Sequence, residues 1–184
     1  EGNRPLTTRR YRRIASLIRR DAALYSSHLP LDLHPEVGNN AVLARLLGLT
    51  DVEPFGSYRG VTLGMAGQAP EGLRTRDDLC QALAARLGIP ATELHLIKGG
   101  SDHVARVGVI TGAGGSMIAQ AVGAGCDTFI TGEGAAHTYF DATELGINLV
   151  YAGHYATETV GVRALAEHLA ARFDLPWEFH DHPT

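Results

Sequence analysis

DTFITGEGAAHTYFDATELGINLVYAGHYATETVGVRAL, residues 127–165, alternates short apolar runs with longer mixed stretches, and that alternation decides the fold class. Thr128–Thr131 and Asn148–Ala152 read as strands, each too short for a helix and bounded by small or polar residues. Between them a helix is expected to run through Leu145, and after them another from Thr157 to Arg172. Strand and helix in strict alternation predict an α/β protein with a largely parallel sheet and flanking helices.

Working outward, Thr111–Ser116 joins a strand expected over Val104–Ile110 to a helix beginning at Ser116. This Gly-rich turn could present backbone N–H groups to an anion. It fits neither GxGxxG, because Met117 stands where the third glycine belongs, nor the Walker pattern, because it lacks the lysine, so a tight strand-to-helix turn explains it better. Leu94–Ile97 is a further strand, joined to Val104–Ile110 around a Gly99-Gly100 turn, and Val61, Leu63 and Met65 give Glu53–Gly67 a strand-like period. Thr75 is an N-cap for a helix over Arg76–Leu87 that Gly88 and Pro90 close, and Asn39 or Asn40 would cap one ending at Gly48. Near the start, Tyr11, Ile14, Leu17 and Ile18 recur at helical spacing within Thr8–Ala22, while Arg9, Arg10, Arg12, Arg13, Arg19 and Arg20 form a solvated face. Short strands are expected at Ala23–Ser26 and around Trp177–Phe179.

The bulk composition narrows the function classes. With 184 residues, 45% of them hydrophobic, the chain can bury a core of its own. A net charge of −4 gives no reason to expect nucleic acid as a partner. No apolar run approaches the roughly 20 residues that span a bilayer, so no membrane partner is expected. Cys80 and Cys126 form neither a CxxC pair nor a disulfide framework, which suits a reducing cytoplasm.

Two separated segments carry the chemistry: His28-Leu29-Pro30-Leu31-Asp32 and Gly153-His154-Tyr155-Ala156-Thr157-Glu158. They place His, Asp and Glu where strands stop, a mixed nitrogen and oxygen set suited to a borderline divalent metal. His154 and Glu158 are four apart and share a helix face if the chain turns helical after Gly153. Glu133, just beyond the Thr128–Thr131 strand, and His137, four residues on, are candidate catalytic groups, as a general base or a substrate contact, because ligands gather beyond the carboxyl ends of strands. His28 is a candidate supporting or substrate-facing group. His34, His95, His103, His168, His180 and His182 have no supporting pattern and read as exposed or structural.

The stretches LYSSHLPLDLHPEVGNNAVLARLLG, residues 24–48, and DTFITGEGAAHTYFDATELGINLVYAGHYATETVGVRAL resemble the first and second halves of the Nif-three-like (YbgI) family, whose bacterial members are described as GTP cyclohydrolase type 2 homologues. The resemblance covers residues 1–184 as one Nif-three-like domain. It implies that Asp32, His154 and Glu158 are metal ligands in a site for two divalent metal ions. An adjacent His-His pair supplies the rest in the family. This chain has no such pair, and Glu1–Arg4 stand where the family's sequence has just passed it, so an N-terminal portion carrying the pair is expected upstream. The resemblance further implies a metal-dependent hydrolase acting through activated water on a nucleotide or phosphate-containing small molecule, GTP cyclohydrolase type 2-like, assembled as a homo-oligomer, a hexameric toroid. The alternative is a non-catalytic, metal-holding ring that serves as an interaction scaffold.

Overall fold

The computed structural model describes residues 5–183. Glu1–Arg4, and with them the expectation about what precedes the chain, lie outside the described residues. Six strands form one sheet in the order β1 (Thr50–Tyr58), β2 (Val61–Gln68), β4 (Arg106–Ile110), β5 (Thr128–Thr131), β6 (Asn148–Tyr151), β3 (His95–Lys98). The three consecutive strands β4, β5 and β6 are parallel. β1–β2, β2–β4 and β6–β3 are antiparallel, so the parallel core predicted from residues 127–165 is flanked by antiparallel edges.

The period-2 alternation of the central strands sorts their side chains into two cores. Val107, Val109, Ile130 and Val150 face one side, where Leu43 of α3 (Asn39–Leu46), Leu79 and Leu83 of α4 (Arg76–Leu87) and Val160 of α7 (His154–Phe173) cover them. Ile110, Phe129 and Leu149 face the other, under Ile118 and Ala121 of α5 (Ile118–Gly123) and Ala142 of α6 (Thr138–Leu145). Phe129 is fully buried and meets Phe55 edge to face at 6.2 Å. β5 and β6 are largely buried on both faces: their centres, Phe129-Ile130 and Leu149-Val150, are apolar, and Thr128, Thr131 and Asn148 are buried at their ends.

Local signals behave as their chemistry dictates. Thr75 caps α4, its Oγ1 accepting the Asp78 N–H at 3.1 Å, and Gly88 ends the helix at φ +71°. α1 (Thr8–Arg19) forms, with no residue of it buried. Glu53–Gly67 resolves into two strands, because Arg59 (φ 51°) and Gly60 (φ 83°) make a two-residue turn with both positions left-handed, matched to strand twist. Burial pushes the Cys126 thiol up to about 11, and Cys80 and Cys126 are both free.

Four expectations need correction. Ala23–Ser26 is exposed and irregular: no described strand offers it a hydrogen-bonding edge, and Leu24 and Tyr25 stay 77% and 82% accessible. Trp177–Phe179 likewise joins no strand. Leu94–Ile97 and Val104–Ile110 do contribute β3 and β4, but these never pair around Gly99-Gly100, since β5 and β6 lie between them. Finally, Gly38 rather than an asparagine sits at the α3 N-cap, and Asn39 and Asn40 are instead buried ties between elements.

Candidate functional site

The carboxyl ends of β4, β5 and β6 run into Thr111-Gly112, Gly132-Glu133 and Gly153-His154, so parallel strands deliver three loops to one edge of the sheet. α7 begins at His154, and Glu158 follows one turn later on the same face, with His154 Nε2 3.3 Å from Glu158 Oε1. Opposite them the short α2 (Leu29–Asp32) ends at the buried Asp32, with His28 as its N-terminal flank. His28, Asp32 and Glu158 offer ligand atoms that all lie within 4.8 Å of one another, a candidate metal-binding group.

Each side chain is held from behind. Asn39 donates to Asp32 Oδ1 at 2.7 Å while its own Oδ1 accepts the Gly161 N–H at 2.7 Å, so one amide locks Asp32 to α7. Asn40 Oδ1 accepts the Thr111 N–H at 2.7 Å and its amide donates to Leu63 O at 2.8 Å, fixing where β4 ends. Thr157 Oγ1 accepts the Gly112 N–H at 3.1 Å. His154 Nδ1 lies 2.6 Å from Glu133 Oε1. A carboxylate accepts, so Nδ1 carries the N–H there, and Nε2, 3.3 Å from Glu158 Oε1, is the ring nitrogen left for a ligand role.

Gly112 explains why the constellation closes. Its φ of +69° favours glycine, and a Cβ on it would fall on the Glu158 carboxylate with His154 Nε2 at 3.2 Å. The space a side chain would fill is the space the donors face.

The electrostatics follow from this crowding. The Glu158 carboxyl is held above its ordinary value, first by burial and also by the neighbouring Asp32, against the lowering pull of His154 and His28. The His154 imidazole is also raised, chiefly by the hydrogen bond to Glu133. An acid whose folded value lies above its unfolded one favours the fold when protonated, and that contribution is lost as pH rises through the folded value. Ionised Glu158 therefore costs stability at pH 8 in the absence of a cation. Glu158→Gln is expected to raise Tm in EDTA at pH 8 by about 1–3 °C, read by differential scanning calorimetry. A lower Tm would mean that the attraction to His154 outweighs the desolvation.

The predicted residues are thus sorted. Asp32 and Glu158, more than a hundred residues apart in sequence, offer ligand atoms within 4.8 Å of each other, and His154 lies beside Glu158 at 3.3 Å. His28, read from sequence as a supporting group, stands among the donors themselves. Glu133 touches His154, while His137 stands 3.9 Å from Asp141 and lines a separate, smaller cavity with Ser116, Gly134 and Glu133. The Thr111–Ser116 turn contributes Gly112. Sequence reading gave Asn39 and Asn40 only as helix caps and Gly112 only as part of a turn, so their places in the site were missed; an Asn-Asn pair and a glycine two residues past a strand are their only signals.

An α/β scaffold whose parallel strand ends gather imidazole and carboxylate groups defines a candidate metal-binding protein. The chain belongs to the Duf34/NIF3 (NGG1p interacting factor 3) family, whose model matches residues 2–183. It is 46% identical over 185 residues to a Deinococcus radiodurans protein named GTP cyclohydrolase 1 type 2 homolog, covering 98% of this chain and 68% of that one. Among solved structures, the protein ybgI, described as of unknown function, superposes with a TM-score of 0.84 at 38% identity over 100% of this chain and 71% of that one. A Thermus thermophilus protein does so at 0.80 and 41%, over 100% and 70%. The chain therefore spans about 70% of the length of the relatives it matches.

Proposed function

We propose that this chain is a divalent-metal-dependent hydrolase of the kind its relatives' name, GTP cyclohydrolase 1 type 2 homolog, points to. Asp32, His154 and Glu158 act as metal ligands, with His28 beside them. The observation that carries the reading is the gathering of donors at the strand ends: His28, Asp32 and Glu158 have ligand atoms within 4.8 Å of one another, and His154 lies 3.3 Å from Glu158, the last two packed so closely on Gly112 that a Cβ there would meet them. Ligand atoms on one tetrahedral ion stand about 3.3–3.6 Å apart. His154 and Glu158 stand at 3.3 Å, and His28, Asp32 and Glu158 lie within 4.8 Å of one another.

A bound divalent ion would supply Lewis acidity and water activation at neutral pH. The chain's own residues do the rest. Glu133 fixes the His154 tautomer and ring plane, and the two asparagines hold Asp32 and the Thr111 corner in place. The His154 ring is 43% accessible, so the site is open to a substrate, whereas structural metal sites are closed. The free thiols fit a cytoplasmic location, and among the described residues no helix is long and apolar enough to cross a membrane.

The test is a screen of purified, metal-loaded protein against nucleotides, phosphoesters and cyclic amides. Turnover is expected to vanish in EDTA, return with added Mn²⁺ or Zn²⁺, and fall at least a hundredfold in His154→Ala. Intact metal binding with no turnover on any of these classes would turn the reading toward a metal-holding scaffold. A homo-oligomer, a hexameric ring, is part of the proposal, and light scattering on the intact protein should give a mass well above the monomer's.

A further inference from the structure

The last described residues, from Leu175 to Pro183, form no helix or strand, yet they are tied back onto the start of α7. The Tyr155 hydroxyl donates to Asp181 Oδ1 and accepts the His182 backbone N–H, both at 2.7 Å. Eight residues along the same helix face, the Arg163 guanidinium lies 3.9 Å over the Phe179 ring. These two anchors turn the tail into the far wall of a cavity of about 840 Å³. Glu133, His154 and Glu158 form one side of it, and Phe179, His180 and His182 the other.

His180 and His182 are two residues apart, and their rings stack on each other. Their planes lie within 8° of parallel and their centroids 6.5 Å apart. A flat ring held between two others needs about 7 Å, twice a van der Waals contact of roughly 3.5 Å. The pair thus stands within a small opening of the spacing that admits one. Neither histidine is committed to the core: His180 is 71% accessible and both are exposed. The carboxylates of Glu133 and Glu158 line the same cavity and can accept hydrogen bonds from ring N–H and amino groups.

We propose that the tail is the outer wall of the substrate cavity and that the His180–His182 pair is a slot for a flat nitrogen heterocycle, making the substrate class a nucleobase-bearing molecule. The inference rests on the reading of this site as a hydrolase centre and supplies its substrate class. Tyr155 is then a positioning residue, since its hydroxyl holds the tail through Asp181 and His182.

Trp177, the single tryptophan of the chain, lies two residues before Phe179 and is 43% accessible, so its fluorescence reports on the tail. The experiment titrates guanosine, and separately ribose 5-phosphate, into the intact protein in EDTA. Guanosine is expected to change Trp177 emission saturably, and ribose 5-phosphate not to. The double variant His180→Ala/His182→Ala should weaken guanosine at least tenfold, and Tyr155→Phe should weaken it less. Absence of guanosine binding, an unchanged affinity in the double variant, or ribose 5-phosphate binding as tightly as guanosine would each overturn the slot. Because the titration is metal-free, calorimetric titration of Mn²⁺ tests the hydrolase reading separately. Wild type and double variant should bind Mn²⁺ equally, and failure of the wild type to bind it would sink the metal reading alone.

Discussion

Asp32→Asn should abolish divalent-ion stabilisation of the protein. A cation present at a hundred times its Kd raises the stability of a folded site by about 2.7 kcal/mol, or roughly 5–10 °C in Tm for a domain of this size. Wild type should show that rise with Mn²⁺ or Zn²⁺, and the variant should show almost none, its affinity down at least a hundredfold. The substitution is chosen because the asparagine oxygen can still accept the Asn39 amide bond, now 2.7 Å long, while the negative charge is gone. In EDTA the two proteins should melt within about 1 kcal/mol of each other. An unchanged metal-induced shift would remove Asp32 from the ligand set.

Gly112→Ala should be nearly as damaging for a different reason, and it carries its own control. The new methyl falls on the Glu158 carboxylate, so metal affinity should drop at least tenfold. It also forces alanine into left-handed backbone, which costs about 1 kcal/mol. Gly88→Ala imposes the same strain, at φ +71°, with nothing within 4 Å of the new atom. Calorimetric unfolding and metal titration of the pair separate the two effects: both should lose stability, and only Gly112→Ala should lose the cation. Equal metal affinity in the two variants would show that the Glu158 carboxylate can move aside freely.

The contrast between what the sequence makes legible and what it hides follows from range. β5 and β6 are readable to the residue or nearly so, because each is a short apolar centre bounded by polar or small residues, a pattern that depends on near neighbours alone. Thr75 and Gly88 are readable because a cap needs only neighbours three or four residues away. Ala23–Ser26 has the same local character as a strand and is not one, since pairing is decided by another segment's edge. The Arg59–Gly60 hairpin escapes notice because arginine is an unusual occupant of left-handed backbone. In the site, residue type marks Asp32, His154 and Glu158, and family resemblance names their role. Glu133 is legible as a site residue but not as a partner of the His154 ring, and His28 not as a member of the donor group, because both facts are distances across the fold. Asn39 and Asn40 sit where helix caps belong by every local rule, and their amides go instead to α2, β2, β4 and α7.

That displacement of Asn39 bears on when the site can exist. The bond that steadies Asp32 is completed by Gly161, 122 residues further along the chain. A ribosome adding 5–20 residues per second needs roughly 6–25 seconds to make that stretch. Throughout that interval the emerging chain carries His28 and Asp32 without the helix that holds them. On the reading of this site as a metal centre, cation capture waits for α7, which brings His154, Glu158 and the Gly161 backbone amide that Asn39 accepts.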